Sequence, residues 1–239
     1  MIKLKYAKKY LSETYRFAGK YRSFNPVKNL RWFALWLKSN SKDKSPLLDK
    51  IPWITFSSIS FLNNYLKEGM KVFEFGTGGS PLFFLERGTN VVSIEHDVEW
   101  AAKVKESVNS DSKQWVLTIV EPDLEKDFSN RRFDNPYDYI SSDKRYFNMS
   151  FRRYVSVIDS YPDNFFDLIL IDGRARPSCL LHALKKVNVG GVIVLDNTER
   201  ERYSSTMNLL KTCEFNFFDF PGASPYVNFF TRTSAWMKI

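Results

Sequence analysis

KVFEFGTGGS, residues 71–80, is the stretch that decides the fold. An apolar run ends at Phe75, and Gly76, Gly78 and Gly79 then lead into a segment with a helical pattern. Glycine lets the backbone turn tightly and approach a ligand closely, because it has no Cβ. The helix that follows offers free N–H groups and a partial positive charge to a carboxylate or phosphate. The stretch therefore predicts a strand, a ligand-binding turn and a helix, although an ordinary turn has the same pattern.

A second apolar run, VVSIEHD at residues 91–97, ends in Glu95, about twenty residues beyond the glycines. An acidic side chain at this position can accept hydrogen bonds from both ribose hydroxyls of a nucleotide. The flat ring of His96 is placed to pack on an adenine. Glu95 alone is compatible with a surface carboxylate, but its spacing from the glycine turn favours a nucleotide-binding site.

The rest of the chain alternates between strands and helices around these motifs. Strands are predicted at 71–75, 90–94, 114–120, 166–171, 191–195, 214–220 and 226–233. Alternating β-α units form a parallel sheet covered by helices. The PGASP spacer between the last two strands is too short for a crossover helix, so these strands should form an antiparallel hairpin. We predict an α/β, Rossmann-like, doubly wound seven-stranded sheet, mostly parallel, with an antiparallel last strand.

The polar stretch at residues 121–150 shows no regular pattern. Irregular segments of this length inside a domain are uncommon and are often functional.

Positive charge is concentrated at the N-terminus. Residues 1–44 hold twelve Lys or Arg and two acidic residues, whereas residues 45–239 have a net charge of −2. We predict a helical extension and linker at 1–50, with helices at 4–19 and 27–38, followed by the main domain at 51–239. An anionic membrane surface, nucleic acid or an acidic partner would explain the basicity, and a solvated helical arm explains it equally well.

Several broad classes of protein are disfavoured. No run approaches the roughly 20 apolar residues that span a bilayer, and the N-terminus lacks the features of a secretory signal. Cys179 and Cys213 match no metal spacing or disulfide framework, so each is expected to be a buried small apolar residue. We expect a cytoplasmic protein, with peripheral membrane association through the N-terminal segment as an option.

Polar residues follow the fourth and fifth predicted strands. Asp172 lies in FFDLILIDGRARP (165–177), and Asp196 and Asn197 lie in GGVIVLDNTERERY (190–203). Because the carboxyl ends of neighbouring parallel strands share one edge of the sheet, these side chains should meet there. Their oxygens are hard ligands suited to Mg²⁺. A cap and turn after a strand, or direct contact of Asp172 with a ligand, would explain them without a metal.

Two arginines, Arg174 and Arg176, stand beside the same predicted site. Arginine binds planar anions through paired hydrogen bonds, which favours a phosphate, carboxylate or acidic sugar as substrate. The alternative is that these arginines neutralise the neighbouring carboxylates, and then no metal is needed. Arg152, Arg153 and Arg200 would add to the same positive surface.

Over residues 71–239 the sequence resembles the class I S-adenosylmethionine-dependent methyltransferases, through Glu74-x-Gly76-x-Gly78 and the downstream Glu95. The resemblance implies that the glycine turn lies against the methionine part of the cofactor and that Glu95 binds its ribose. Ser80 stands where that family often has a third glycine. The cofactor residues predicted in this way are Glu74, Gly76, Thr77, Gly78, Glu95 and His96.

The Asp…Asp-Asn pattern resembles the metal site of catechol and caffeoyl-CoA O-methyltransferases. The segments from IPWITF to LDNTERERY also resemble uncharacterised bacterial methyltransferase-like proteins.

The resemblance implies methyl transfer from S-adenosylmethionine, and the acidic residues favour an oxygen of a small-molecule or glycan acceptor, with Mg²⁺ as a further cofactor. Asp172 and Arg174 are the predicted catalytic residues, because no convincing Cys or His base is present. A nicotinamide-dependent oxidoreductase is disfavoured by Pro81, which stands where the dinucleotide motif has Gly or Ala, and by the terminal hairpin. A non-catalytic binding protein on a methyltransferase scaffold is the other alternative.

Overall fold

The computed structural model describes residues 2–108, 113–211 and 214–239. Its α-helices within these residues are α1 (Ile2–Lys20), α2 (Pro26–Leu30), α3 (Phe33–Ser39), α4 (Pro46–Asp49), α5 (Phe56–Tyr65), α6 (Ser80–Leu85), α7 (Val98–Ser107), α8 (Arg152–Ser156), α9 (Arg176–Lys186) and α10 (Ser204–Lys211). Its strands are β1 (Lys71–Phe75), β2 (Asn90–Glu95), β3 (Trp115–Ile119), β4 (Asp123–Leu124), β5 (Met149–Ser150), β6 (Phe166–Ile171), β7 (Val187–Leu195), β8 (Phe215–Ala223) and β9 (Phe230–Lys238).

The main sheet has seven strands in the order β3-β2-β1-β6-β7-β9-β8. The pairs β3-β2, β2-β1, β1-β6 and β6-β7 are parallel, whereas β9 is antiparallel to both β7 and β8. This arrangement confirms the predicted Rossmann-like sheet with an antiparallel last strand. Strands β4 and β5 form a separate antiparallel pair inside the segment at 121–150.

Helices cover both faces of the sheet. Phe73 and Phe75 of β1 point into a core that includes Tyr154 of α8 and Leu180 of α9. Val72, on the opposite face of β1, joins a second core with residues of α5 and α6. Burial on both faces explains why the central strands read as continuous apolar runs.

The terminal hairpin differs from the prediction in where it turns. Pro221, Gly222 and Ala223, expected in the connection, instead extend β8 and pair with residues 230–232 of β9. Strand β8 is at the edge of the sheet, where a proline without an N–H is tolerated. The predicted hairpin is present, but its turn lies at 224–229.

The N-terminal segment is packed against the sheet, which corrects its interpretation as a solvated arm. Tyr10, Phe17 and Trp36 are buried in one cluster with Phe230 of β9. Glu13 Oε2 also accepts a hydrogen bond of 2.9 Å from the Phe230 backbone N–H. One face of α1 therefore contributes to the core, while Lys5, Lys8, Lys9 and Lys20 are exposed.

Packing of this cluster crosses the predicted boundary at residue 50, because Phe56 of α5 belongs to it. The helix predicted at 27–38 is divided into α2 and α3. Helix α2 is joined to the terminal hairpin, because Asn29 Oδ1 accepts a hydrogen bond of 3.2 Å from the Ala223 N–H of β8.

Cys179 is buried, as predicted, and Cys213 lies outside the described residues. None of the helices in the described part of the chain has the length and apolar character needed to cross a membrane.

Candidate active site

The glycine turn brings the ends of β1 and β6 into contact. Gly76 has a φ of +85°, in the left-handed region that favours glycine. A Cβ on Gly76 would lie 2.7 Å from Gly173 Cα, just beyond β6, so the two backbones approach too closely for any other residue. A Cβ on Gly78, by contrast, would meet nothing closer than the Trp100 ring at 3.8 Å. The space above the turn at Gly78 is open to a ligand.

The Glu95 carboxylate lies opposite this turn. Its Oε2 accepts a hydrogen bond of 3.0 Å from the Thr77 N–H, and its Oε1 accepts from the His96 and Asp97 N–H groups at 2.7 and 3.0 Å. Burial by itself would raise the pKa of Glu95, but His96 and the backbone amides lower it below its ordinary value. Glu95 is therefore held as a fixed negative charge at the end of β2, and it binds the glycine turn directly.

Glu74 lies beneath the turn, which corrects its prediction as a cofactor ligand. The side chain is fully buried and lines no part of the cavity. Its Oε1 accepts hydrogen bonds from the Thr77 and Ser93 hydroxyls at 3.1 and 2.5 Å. Burial raises the pKa of Glu74 to about 7. Glu74 therefore supports the loop from below, and residues 76–80 of this turn line the cavity.

His96 is placed beside the cavity by an aromatic cluster. Its Nε2 lies 2.8 Å from Tyr146 Oη, and its ring packs edge-on against Tyr146 and Phe151 at 4.9 and 5.5 Å. His96 Nδ1 lies 2.6 Å from Glu95 Oε1. These contacts fix the ring orientation and attach the segment at 121–150 to the end of β2.

These residues surround a cavity of about 630 Å³ at the carboxyl ends of the parallel strands. Ligand pockets have this size and occur at this edge of open α/β sheets. Of the predicted site residues, all but Glu74 line it. They are Gly76, Thr77, Gly78, Glu95, His96, Asp172, Arg174, Asp196 and Asn197.

A guanidinium group takes the position predicted for the metal ion. Arg176 donates hydrogen bonds to Asp172 Oδ1 at 2.7 Å and to Asn197 Oδ1 at 3.3 Å. Its Nη1 lies 3.7 Å from Asp196 Oδ2, while Asp196 Oδ1 accepts a hydrogen bond of 2.7 Å from Thr233. The oxygens intended for Mg²⁺ are thus engaged by an arginine and a threonine.

The residues therefore do not fit a metal, and the prediction of a site at Asp172, Asp196 and Asn197 is corrected. No group of three or more His, Cys, Asp or Glu in the described residues is arranged to hold an ion. The alternative interpretation, in which arginine neutralises the carboxylates, is confirmed for Arg176.

Asp172 is the more exposed of the two carboxylates. Its side chain retains 27% exposure, and it lines the cavity. Burial raises the pKa of Asp172 to about 7, with Arg176 opposing the rise and Asp196 adding to it. Asp196 is only 4% exposed, and burial raises its pKa as well. A carboxylate that titrates near neutral pH is suited to accept a proton from a reacting group.

Arg174 behaves differently from Arg176. It pairs with Asp143 at 3.1 Å and lies over the Tyr146 ring at 5.4 Å. Hydrogen bonds from Arg145 and the charge of Arg174 lower the pKa of Asp143 to about 2, although partial burial opposes this. Because Asp143 and Tyr146 belong to the segment at 121–150, that segment closes one side of the cavity.

Part of the cavity wall was not predicted from the sequence. Trp100 donates a hydrogen bond of 2.7 Å to the Thr77 carbonyl, and Asp97 caps the helix that carries it. Asp97 followed by helix α7 was the local signal for this pair. Trp53 also lines the cavity. The wall is completed by residues distant in sequence, which are Pro46, Arg145, Ser224, Val227, Phe229 and Thr231.

No protein-family model matches the sequence, and no curated protein matches it. Solved structures do. The O-methyltransferase TomG from Streptomyces achromogenes, involved in tomaymycin synthesis and solved with S-adenosylmethionine, shares 14% identity over 89% of this chain and 99% of that chain, with a TM-score of 0.53. The O-methyltransferase from Bacillus cereus, solved with S-adenosylhomocysteine, shares 15% identity over 98% and 100% of the two chains, with a TM-score of 0.51.

A protein from Corynebacterium glutamicum is also similar, with 11% identity over 90% of this chain and 97% of that chain and a TM-score of 0.56. At these identities the likeness shows the fold. The chain has the Rossmann-like fold of the class I S-adenosylmethionine-dependent methyltransferases, as the resemblance in the sequence implied.

Proposed function

We propose that this protein transfers a methyl group from S-adenosylmethionine to an oxygen of a small-molecule or glycan acceptor that carries negative charge. The main observation that supports this proposal is that Glu95 and the open turn at Gly78 face one cavity at the carboxyl ends of the parallel strands. The residues fit the cofactor, because the Glu95 carboxylate is ionised and a charged acceptor there suits ribose hydroxyls.

S-adenosylmethionine supplies a methyl group that is already activated by its positively charged sulfur. The protein's main tasks are then to position the acceptor and to remove its proton. Transfer forms a carbon–oxygen bond, leaves the electron pair of the broken carbon–sulfur bond on sulfur, and releases the hydroxyl proton. Asp172 is placed to accept that proton, because it lines the cavity and has a pKa of about 7.

The cavity also carries cations for an anionic acceptor. Arg145, Arg174 and Arg200 line it, while Arg176 is engaged by Asp172 and Asp196. Arg145 and Arg174 share Asp143 as a partner, and Arg200 has a long contact of 3.8 Å with Glu199. Guanidinium groups bind carboxylates and phosphates through paired hydrogen bonds. These charges support an acidic sugar, a phosphate or a carboxylate in the acceptor.

Calorimetric titration and a methyl-transfer assay test this proposal together. We expect S-adenosylmethionine to bind and NAD not to bind. The full-length protein should then incorporate labelled methyl groups into one class among sugars, phenols, lipids and nucleic acids. Binding of NAD instead would favour the oxidoreductase, although the antiparallel β9 departs from the all-parallel sheet that dinucleotide folds use. Cofactor binding without incorporation into any class would favour the non-catalytic alternative.

We further propose that residues 1–44 bind an anionic membrane surface. Lys8, Lys20 and Lys28 are exposed. Large apolar side chains are exposed near them, with Tyr15 at 86% and Val27 at 82%. Exposed apolar groups among cations favour a lipid surface, where both kinds of side chain find partners. Nucleic acid is the alternative partner, and it would use the cations alone.

Replacing Lys8, Lys20, Arg22 and Lys28 with glutamine should weaken binding to phosphatidylserine vesicles at least tenfold at low salt. Each basic residue near such a surface contributes about 1 kcal/mol. Neutralisation is preferable to deleting the segment, because deletion would expose the aromatic cluster. Co-sedimentation measures the effect.

The control removes four exposed lysines outside the segment, Lys67, Lys103, Lys105 and Lys126. If full-length protein ignores vesicles and binds duplex DNA, the partner is nucleic acid. If it binds neither at low salt, the segment has only the structural role seen in its packing.

A further inference from the structure

A second, smaller cavity of about 30 Å³ opens beside the N-terminus of α9. Four arginines line it, Arg174, Arg176, Arg200 and Arg202, together with Ser141 and Ser142. No carboxylate is among its lining residues. A cavity holds one water for about every 10–15 Å³ of such volume, so this one accommodates a small polar group and not a ring.

The side cavity lies next to the main one, with residues at the start of α9 between them. Arg174, Arg176 and Arg200 line both. Arg176 is also hydrogen-bonded to Asp172, the residue placed to accept the proton. A molecule with one part facing Asp172 can therefore place an anionic group against the arginines that line both cavities.

The arginines of the side cavity differ in how much of their charge is offset. Arg176 is engaged by the carboxylates between β6 and β7, and Arg174 pairs with Asp143. Arg200 has a long contact of 3.8 Å with Glu199. Within the described residues Arg202 forms no ion pair, and its side chain is exposed. The side cavity thus has an excess of positive charge at Arg200 and Arg202.

Two further features favour an anion in this cavity. Helix α9, eleven residues long, begins at Arg176 with Ala175 at its N-cap, and no side chain caps it. The partial positive charge of a helix N-terminus therefore adds to the arginines. Ser141 and Ser142 bring hydroxyl groups, which can donate hydrogen bonds to anionic oxygens.

From this arrangement we infer that the side cavity binds a phosphate group carried by the methyl acceptor. The inference rests on the proposed function for the acceptor itself, and the chemistry of the cavity identifies the group. A phosphate monoester carries close to two negative charges near neutral pH, which matches the two arginines that lack a close carboxylate. A bound phosphate would also compete with Asp143 for Arg174. In the absence of phosphate, the ion pair with Asp143 holds the Arg174 side chain.

The test uses the full-length protein with inorganic phosphate and with acetate, titrated in a calorimeter at constant ionic strength. We expect phosphate to bind at least tenfold more tightly than acetate. Arg200→Gln and Arg202→Gln should each weaken phosphate binding at least fivefold. Arg31→Gln is the matched control, because it removes the same charge from a surface that lines neither cavity.

An affinity for phosphate no higher than that for acetate would overturn the inference. An affinity for phosphate that is unchanged in both Arg200→Gln and Arg202→Gln would overturn it as well. Titration with S-adenosylmethionine in the same proteins separates this result from the proposed function. If the arginine variants lose phosphate but keep the cofactor, both proposals stand. If the unmodified protein binds phosphate in the side cavity but does not bind S-adenosylmethionine, the proposed methyl transfer fails while the anion site remains.

Discussion

Replacing Asp172 with asparagine should lower the rate of methyl transfer by a factor of about 100 to 10,000, the range that a positioned general base contributes. Asparagine retains an oxygen that can accept the hydrogen bond from Arg176, so the ends of β6 and β7 should stay together. The substitution removes the negative charge and the ability to accept a proton. The rate is measured with labelled cofactor and the acceptor class identified by the incorporation assay.

The rate of methyl transfer by the unmodified protein should depend on pH through the titration of Asp172. Asp172 accepts a proton only when it is ionised, and its pKa is raised to about 7. The rate should therefore fall about tenfold for each pH unit below 7 and reach a plateau above it. The asparagine variant should lose this dependence along with most of its activity. A flat profile between pH 5 and pH 8 in the unmodified protein would exclude Asp172 as the base.

Asp196→Asn is the matched control for this role. Asp196 is nearly inaccessible and bonded to Thr233, and its charge contributes to the raised pKa of Asp172. Removing that charge should shift the pH midpoint below 7 and leave substantial activity at pH 8. If Asp196→Asn instead lost activity at every pH while Asp172→Asn did not, the two roles would be exchanged. Thermal unfolding of both variants checks that the sheet is intact.

The features predicted correctly depend on short stretches of sequence. The turn at Gly76 and the carboxylate at Glu95 follow from a strand, a turn and a helix that are contiguous in the chain. Each strand is recognisable from its own apolar run, and the parallel sheet follows from alternation with helices. Local pattern is sufficient here because neighbouring residues determine the geometry.

Arg176 shows where the sequence was insufficient. A metal ion and an arginine both neutralise Asp172 and Asp196, and the residue types permit either. The choice depends on the path of the backbone, because Ala175 adopts a φ of +46° and α9 begins at the next residue. From there Arg176 reaches the Asp196 carbonyl at 2.6 Å, a contact between residues twenty positions apart.

The N-terminal segment shows a signal that was present but outweighed. Tyr6, Tyr10 and Phe17 recur at helical spacing, which predicts a buried face on α1. The net positive charge of the segment instead favoured its interpretation as an exposed, charged arm. The contact of Tyr146 with His96 had no comparable signal, because fifty residues separate the two and the intervening segment is irregular.

Replacing Glu95 with glutamine should weaken S-adenosylmethionine binding at least tenfold. Hydrogen bonds to a charged acceptor contribute roughly 1.5–3 kcal/mol each, and 1.4 kcal/mol corresponds to a tenfold change in affinity. Glutamine is preferable to alanine, because its single carbonyl oxygen can still accept either from Thr77 or from His96 and Asp97. Alanine would leave the Thr77, His96 and Asp97 N–H groups without their acceptor and would distort the site.

Glu74→Gln is the matched control, because it changes a carboxyl to an amide on the same turn, three residues before Thr77. Glu74 is buried beneath the loop and lines no part of the cavity, so cofactor affinity should change less than threefold. Calorimetry measures both variants, with circular dichroism to confirm folding. Equal losses in the two variants would mean that Glu95 acts only by supporting the loop. An unchanged dissociation constant in a folded Glu95→Gln protein would remove Glu95 from the cofactor site.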